Sequence, residues 1–234
     1  MDNRSETSRL IGLIGSTGLI GSHLQTFIKF DRLFNSTNID TIVKDKFSRI
    51  YCAAPSGNRV QALSNPADDT ASVDLLISKL EQAKIDKLIL ISTGDTQIVP
   101  DSVYGRNRLR LEECVKQFND HHIIRLSSLI SNNITKNVLY DIKHQCYLDK
   151  INPNARLQWY PLCDLEKDLD RIISNNIRET NLCSEPILIQ EIIDQLAPQI
   201  KKMLVNYTLG ANYDLHPYSH LKEDILKHMR DYLS

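Results

Sequence analysis

The chain has 234 residues, a formal net charge of −1 at pH 7 and five widely spaced cysteines. The near-neutral charge gives no electrostatic basis for binding nucleic acid or an anionic membrane, and no apolar run approaches the roughly 20 residues that span a bilayer. The cysteines form no C-x-x-C pair and the histidines lack metal-ligand spacing, so we expect no metal site, no disulfide framework and a reducing, cytoplasmic location.

The first predicted strand, Leu10–Ile14, leads into a loop with three glycines and then into a helix predicted over Leu19–Phe30. This arrangement aims unpaired backbone N–H groups and the positive end of the helix dipole at an anion. The spacing G-x-x-G-x-x-G is close to the G-x-G-x-x-G fingerprint of dinucleotide-binding proteins. We therefore predict a dinucleotide whose pyrophosphate lies over the loop formed by Gly15, Ser16, Thr17, Gly18, Leu19, Ile20 and Gly21.

Each glycine of this loop has its own predicted role. Gly15 permits a sharp exit from the strand, Gly18 lets the backbone approach the phosphates, and Gly21 lets the helix pack closely on the sheet. The hydroxyls of Ser16 and Thr17 are predicted to donate beside the phosphates. The alternative is an ordinary glycine-rich turn, but glycine is costly near a helix start unless it is needed, which favours a ligand.

Strands alternate with helices through the first half of the chain. Strands are predicted at Arg32–Asn35, Arg49–Ala54, Lys87–Ile91 and His122–Leu126, and helical segments at Thr41–Phe47, Asp69–Lys84 and Leu109–Asn119. Such alternation requires crossover connections, so the predicted fold class is α/β with a doubly wound parallel sheet between helices. Ligands bind this architecture at the carboxyl ends of the strands.

The end of the second predicted strand bears on the choice of cofactor. NAD specificity usually depends on an acidic residue there, whereas this segment has Asn35 and Ser36 and reaches no acid before Asp40. Uncharged polar side chains are able to accept a 2′-phosphate, and Arg32 is nearby in the sequence. We predict that Asn35 and Ser36 contact the cofactor, with NADP favoured over NAD and both left open.

A second group of candidate residues follows the strand predicted at Lys87–Ile91. Thr93 stands just after that strand, and Tyr104 and Arg108 are four residues apart at the start of the next helix. Residues at this spacing share one helix face, and a nearby cation lowers the pKa of a phenol. A phenol tuned in this way exchanges protons with an alcohol or carbonyl. The alternative is a surface tyrosine stacked on an arginine.

These residues together resemble the extended short-chain dehydrogenases/reductases, in the group of NAD(P)-dependent nucleotide-sugar epimerases and dehydratases. The resemblance is carried by Ile14–Leu24, Tyr51–Ala54, Ile89–Thr93, Val103–Arg108 and Ile124–Ser127. It implies a Rossmann domain over residues 1–135 and a small, interleaved substrate lobe over residues 136–234. It also implies that Ala53, Ala54, Pro55, Arg108 and Leu126 contact the cofactor.

The resemblance further implies that Thr93 binds the reacting sugar oxygen and that Tyr104 is the catalytic acid/base. Arg108 stands where the family has lysine, which keeps the charge but replaces a point charge by a planar fork. Dehydratases of the family place an Asp-Glu pair after the threonine, whereas Gly94 and Asp95 follow here, so dehydration is disfavoured. Reduction or epimerisation of a nucleotide-linked sugar, in surface polysaccharide synthesis, is the function implied. The alternative is a non-catalytic NAD(P)-binding sensor or partner subunit.

The last third of the chain is less informative. Asn137 is predicted to meet a sugar diphosphate, with a helix N-cap as the alternative. Tyr160, beside the only tryptophan, is predicted to contact the substrate, with aromatic core packing as the alternative. The resemblance also implies a homodimer formed through Asp69–Lys84 and Leu109–Asn119.

Overall fold

The computed structural model describes residues 10–203 and 212–234. The described chain divides into two compact units, one reaching to Ile124 and including Asp170–Thr180, the other formed by Arg125–Leu169 and the residues from Asn181 onward. The chain therefore passes between the units three times. No helix within the described ranges is long and apolar enough to cross a membrane. The division of residues 1–135 and 136–234 into cofactor and substrate parts, and the cytoplasmic location, stay predictions.

Eleven strands and nine helices are found in the described residues. The strands are β1 (Leu10–Ile14), β2 (Arg32–Phe34), β3 (Lys46–Cys52), β4 (Lys84–Ile85), β5 (Leu88–Thr93), β6 (His121–Leu126), β7 (Ser128–Ile130), β8 (Arg156–Leu157), β9 (Trp159–Pro161), β10 (Glu179–Leu182) and β11 (Ile187–Leu188). The helices are α1 (Leu19–Leu24), α2 (Arg59–Ser64), α3 (Pro66–Gln82), α4 (Asp95–Ile98), α5 (Val103–Val115), α6 (Val138–His144), α7 (Leu165–Ser174), α8 (Ile189–Leu196) and α9 (Lys222–Leu233).

The main sheet has the strand order β10-β6-β5-β3-β1-β2, with β4 also paired to β3. Strand β1 runs parallel to β2 and to β3, and β3 runs parallel to β4 and β5. The predicted α/β class with a doubly wound sheet is confirmed. The chain moves outward from β1 to β2 and then crosses to β3, so the strand order reverses between β1 and β3. Ligands of such sheets bind outside the carboxyl ends of the strands at this reversal.

The strands of the main sheet are apolar on both faces. Ile14, Ile50 and Leu90 pack into one core cluster with residues of α3 and α5, while Leu13 and Ile89 on the opposite face are also buried. Burial on both faces is typical of parallel sheets, because crossover helices cover them. The second unit contains two small sheets, β7 with β9 in parallel and β8 with β11 antiparallel.

Several element bounds differ from the predicted ones. The helix predicted to reach Phe30 ends at Leu24, and the carbonyls of its last turn accept from side chains: Gln25 donates to Gly21, and Thr26 donates to His23. Such bonds compete with the backbone ladder and end the helix early. The segment predicted as helical from Thr41 is a 3₁₀ turn at Ile39–Lys44, and β3 begins before its predicted start.

Candidate active site

The glycine loop begins with a reversal directly after β1. Gly15 has φ +84°, which a residue with a side chain rarely adopts, and its N–H donates to the carbonyl of Phe34 at 2.9 Å. A Cβ at Gly15 would lie 2.5 Å from the carbonyl oxygen of Ala53. Glycine is therefore required here by the turn and by the close approach of the segment after β3.

Gly21 and Gly18 occupy opposite environments in the same loop. A Cβ at Gly21 would lie 2.1 Å from the carbonyl oxygen of Gly15, so α1 is in direct backbone contact with the turn. Gly18 has φ −80° and ψ 168°, and a Cβ there would meet only the Gly15 oxygen, at an ordinary 3.5 Å. Neither the backbone conformation nor the surrounding protein therefore requires glycine at position 18.

The two hydroxyl residues of the loop point in different directions. Ser16 is buried and its Oγ donates to the carbonyl of Phe34 at 3.1 Å. Its hydroxyl is thus used inside the protein, which differs from the prediction that it donates to a phosphate. Thr17 is exposed. Leu19 and Ile20 open α1 and are partly exposed, next to Gly18.

The segment after β3 lies against the glycine loop at the point where the strand order reverses. The N–H of Ala53 donates to the carbonyl of Ile14 at 2.8 Å, and the Ala54–Pro55 peptide is cis. Ala53, Ala54 and Pro55 are all partly exposed. This brings these three predicted contact residues beside Gly15 at the carboxyl edge of the sheet.

The polar residues after β2 are held in a local turn. The Asn35 side-chain oxygen accepts from the N–H and the hydroxyl of Thr37, at 2.8 and 2.7 Å, while Ser36 is exposed. Arg32 forms an ion pair with Asp45 at 3.0 Å. Arg32, the cation whose position in the sequence favoured NADP, is therefore already paired with a carboxylate.

Local packing fixes the position of Tyr104 at the start of α5. The Ser102 side chain caps this helix by accepting from the N–H of Gly105 at 2.9 Å. A Cβ at Gly105 would lie 2.2 Å from the carbonyl oxygen of Val99, so the turn after α4 and the first turn of α5 are in backbone contact. Tyr104 is buried, and the Thr93 hydroxyl, which accepts from the N–H of Asp95 at 3.3 Å, is one of the groups that influence its pKa.

Arg108 contacts the ring of Tyr104 rather than its hydroxyl. The guanidinium carbon lies 4.2 Å from the ring centroid, a cation–π contact. The guanidinium donates to both carboxylate oxygens of Asp69 at 2.8 Å, and also to the carbonyl of Ser56 at 2.7 Å. The side chains of Arg108 and Asp69 are only 5% and 9% exposed, so this is a buried, bidentate ion pair.

The pKa values of Tyr104 and Asp69 are shifted in opposite directions. Burial raises the pKa of Tyr104; the charge of Arg108 and the Thr93 side chain lower it by less, and Asp95 and Asp69 raise it further. The charge of Arg108 thus acts in the predicted direction, but burial outweighs it and the net pKa of the phenol is raised. Burial also raises the pKa of Asp69, but the hydrogen bonds from Arg108 and Asn107 and the charge of Arg108 outweigh it, so the net shift is downward.

The structure adds charged residues to the cluster that the sequence did not single out. Asp69 of α3 is one, and it also accepts from Asn107 at 2.8 Å. Asp95, at the start of α4, is buried and forms an ion pair with Arg59 of α2 at 3.5 Å. The sequence offers a signal for Asp95, which stands two residues after Thr93. No local pattern pairs Asp69 with Arg108, which lies 39 positions later in the chain.

The other three predicted site residues belong to the second unit. Leu126 is the buried last residue of β6. Asn137 caps α6: its side-chain oxygen accepts from the N–H of Tyr140 at 3.0 Å, and its amide donates to Leu129 at 2.9 Å. Tyr160 is fully buried and donates to Asp168 at 2.9 Å. These contacts are those of a helix cap and of core packing, the two alternatives open in the sequence.

The structure is similar to solved structures of nucleotide-sugar enzymes. It matches UDP-N-acetylglucosamine 4-epimerase from Bacillus cereus with TM-score 0.65 and 13% identity, over 96% of this chain and 98% of that one. RMD from Pseudomonas aeruginosa, complexed with NADPH, matches with TM-score 0.67 and 14% identity, over 96% of each chain. The dTDP-4-dehydrorhamnose reductase from Yersinia enterocolitica matches with TM-score 0.65 and 14% identity, over 96% and 98%.

This chain has their fold. The matched structures belong to the extended short-chain dehydrogenase/reductase family, so the resemblance drawn from the sequence is confirmed at the level of fold. No family model matches the sequence, and no curated protein matches it. The similarity therefore lies in the three-dimensional arrangement of this fold and not in overall sequence identity.

Proposed function

We propose that this protein binds NAD or NADP with the pyrophosphate over Gly15–Gly21 and reduces or epimerises a nucleotide-linked sugar. The observation that carries the proposal is the surroundings of Gly18. Its backbone suits any residue and a Cβ has room within the protein, yet the position is glycine. A ligand that approaches the backbone from outside accounts for this, and a dinucleotide phosphate has the size and charge to do so.

The residues around this position fit such a cofactor. The loop lies at the reversal of strand order, next to the edge formed by Ala53–Pro55. Thr17 and Gly18 are exposed, so no described side chain covers the loop. The matched RMD structure contains NADPH, which supports a nicotinamide dinucleotide. When bound, the nicotinamide donates or accepts a hydride.

Within the chain, Tyr104 and Thr93 are the groups we propose to move the proton. The Tyr104 hydroxyl is protonated at neutral pH, since a phenol usually titrates near 10.0 and burial raises this pKa further, so it carries a proton that a new alkoxide is able to take. The Thr93 side chain lowers the pKa of Tyr104 by less than burial raises it. A proton donor suits reduction of a keto-sugar, because the new alkoxide must be protonated. Among the two reactions we therefore favour reduction, in the supply of sugars for a surface polysaccharide.

Replacing Gly18 by valine tests cofactor binding. We expect the affinity for NADPH or NADH, measured by calorimetric titration, to fall roughly 100-fold, equivalent to about 3 kcal/mol, because the new side chain occupies the place of the phosphates. The thermal unfolding midpoint should stay at the wild-type value, since a Cβ at this position meets only the Gly15 oxygen at 3.5 Å.

Gly21→Ala is the matched comparison in the same loop. Its Cβ would lie 2.1 Å from the Gly15 oxygen, so this variant should unfold at a lower temperature. Unchanged NAD(P)H affinity in a folded Gly18→Val protein would place the phosphates elsewhere and remove the main support for the proposal.

A non-catalytic NAD(P)-binding protein is the second candidate, and the position of Arg108 favours it. The guanidinium is held by Asp69 and Ser56 and faces the ring of Tyr104, so it neither lowers the phenol pKa below its usual value nor has its fork free for a ribose. In this alternative the cofactor is a signal or a structural ligand. A homodimer through α3 and α5 is compatible with either candidate and stays a prediction.

Turnover measured in the wild type and in Arg108→Lys together distinguishes the two candidates. Lysine has no planar fork, so it is unable to hold both Asp69 oxygens and the Ser56 carbonyl together. For a reductase we expect turnover of keto-sugar nucleotides, followed by NAD(P)H oxidation, to fall about tenfold as Tyr104 loses its support. A non-catalytic protein has no turnover with either residue, although it binds the cofactor.

A further inference from the structure

A cluster of metal-ligating side chains lies in the second unit and takes no part in the proposed reaction. Cys163 and Asp164 belong to the 3₁₀ turn Leu162–Asp164, and His228 comes from α9. One ligand atom of each residue lies within 4.8 Å of the ligand atoms of the other two. The turn and the helix thus bring a thiol, a carboxylate and an imidazole to one place.

These three groups suit a particular class of ion. A thiolate and a carboxylate together carry two negative charges, which balance a divalent cation, and imidazole adds a neutral ligand. Sulfur, nitrogen and oxygen are the ligand atoms of zinc in proteins, whereas magnesium and calcium prefer oxygen alone. Three protein ligands leave a fourth tetrahedral position for water.

The carboxylate of this cluster has the outer support that metal ligands usually have. Its Oδ1 faces the Sγ of Cys163 at 3.9 Å, and its Oδ2 accepts from Nε2 of His220 at 2.9 Å. Nδ1 of His220 lies 2.8 Å from the hydroxyl oxygen of Ser219, and that hydroxyl donates to the carbonyl of Cys183 at 3.0 Å. One oxygen is therefore oriented by the protein while the other faces the thiol.

The two elements that carry the ligands are anchored, yet an ion has access to them. Leu162 in the turn, Leu165 directly after it, and Ile225 and Met229 on α9 are buried. Cys163 is exposed, and Asp164 and His228 are partly exposed. The ligand positions are thus held by packing beneath them, while the ligand atoms stay open to solvent.

We propose that Cys163, Asp164 and His228 bind a zinc ion with one open position, which ties the Leu162–Asp164 turn to the C-terminal helix α9. Metal-ligand spacing did not predict the site, because the turn and the helix meet only in the folded chain. Because the turn and the helix are far apart in the sequence, a bound ion would close a long loop of the chain. A metal link stabilises the folded state most when the loop that it closes is long.

Titration of the full-length, metal-free protein with Co²⁺ tests the site directly. We expect one equivalent to bind and to produce the near-ultraviolet absorption of a cobalt–thiolate bond, displaced by Zn²⁺. Cys163→Ser should abolish this band, and His228→Gln should weaken binding at least about tenfold. Cys146→Ser is the matched control, because the Cys146 thiol also lies beside a carboxylate, 3.4 Å from Asp141, and should leave the band unchanged.

Thermal unfolding provides a second readout. Zn²⁺ at about a hundredfold excess over its dissociation constant should raise the wild-type midpoint by about 5 °C. The Cys163→Ser protein should show no such rise, and its midpoint in chelator should equal that of the wild type because Cys163 is exposed. Absence of the cobalt–thiolate band in the wild type, its survival in Cys163→Ser, or its equal loss in Cys146→Ser would each overturn the proposal.

Discussion

Replacement of Tyr104 by phenylalanine should lower the turnover of a keto-sugar nucleotide by about 10²- to 10⁴-fold while leaving the affinity for NAD(P)H nearly unchanged. The substitution removes only the hydroxyl, which lies in the buried part of the cluster beside Thr93. The ring and its 4.2 Å contact with Arg108 stay in place, so the fold should be retained. Steady-state oxidation of NAD(P)H and a calorimetric titration of the same protein measure the two quantities separately.

Tyr51→Phe is the matched control for this variant. Tyr51 is another buried tyrosine of the first unit, and its hydroxyl accepts from Arg49 at 3.2 Å. Its replacement should leave turnover at the wild-type level. Wild-type turnover in Tyr104→Phe would assign the proton to a different group, of which Asp95, two residues after Thr93, is the first to examine.

The raised pKa of Tyr104 also gives an expected pH profile. A proton donor acts in its protonated form, and burial raises the pKa of this phenol above its usual 10.0. Deprotonation of Tyr104 should therefore not lower the rate of reduction at neutral pH. The rate should fall only in strongly alkaline solution, where the phenol loses its proton. A rate that instead rises through neutral pH, as for a group that must lose a proton, would indicate a tyrosine acting as a base.

Replacement of Asp69 by asparagine should destabilise the protein by about 3 to 5 kcal/mol, because it leaves the buried guanidinium of Arg108 without its counter-charge. The side chains of the pair are 5% and 9% exposed, so solvent does little to compensate. Asp69 also accepts from Asn107, and that contact is altered at the same time. Urea or thermal unfolding measures the loss, which corresponds to roughly 10 °C in the unfolding midpoint for a chain of this size.

The same two helices provide the control for Asp69. Asp74 of α3 pairs with Arg110 of α5 at 2.5 Å, but these side chains are 51% and 49% exposed. Asp74→Asn should therefore cost less than about 1 kcal/mol. Equal effects of the two substitutions would mean that the buried pair contributes no more than a surface one.

The stability contributed by Asp69 should depend on pH in a defined direction. The pKa of Asp69 in the folded protein is below its usual value of 3.8. The stability that Asp69 contributes is therefore fully present above pH 3.8 and is lost as the pH falls through the pKa of the folded protein. In Asp69→Asn this part of the acid sensitivity should disappear. The comparison of wild type and variant in acidic urea titrations isolates this group.

Some features of this protein follow from local sequence. The alternation of strands and helices and the Gly15–Gly21 loop after β1 are determined by hydrophobic periodicity and by the backbone freedom of glycine, which act over a few residues. Element ends were less predictable: α1 ends at Leu24 because the side chains of Gln25 and Thr26 bind its carbonyls. Periodicity contains no information on such competition.

Other features were decided by the tertiary structure. The phenol of Tyr104 has a raised pKa because folding buries it, and Arg108 is paired with Asp69, 39 residues earlier, rather than left free. The hydroxyl of Ser16 donates to the carbonyl of Phe34 in β2, inside the protein. Cys163 and His228 are brought together from a turn and a distant helix. Desolvation and long-range pairing depend on which segments meet, and a linear pattern of residues does not encode that directly.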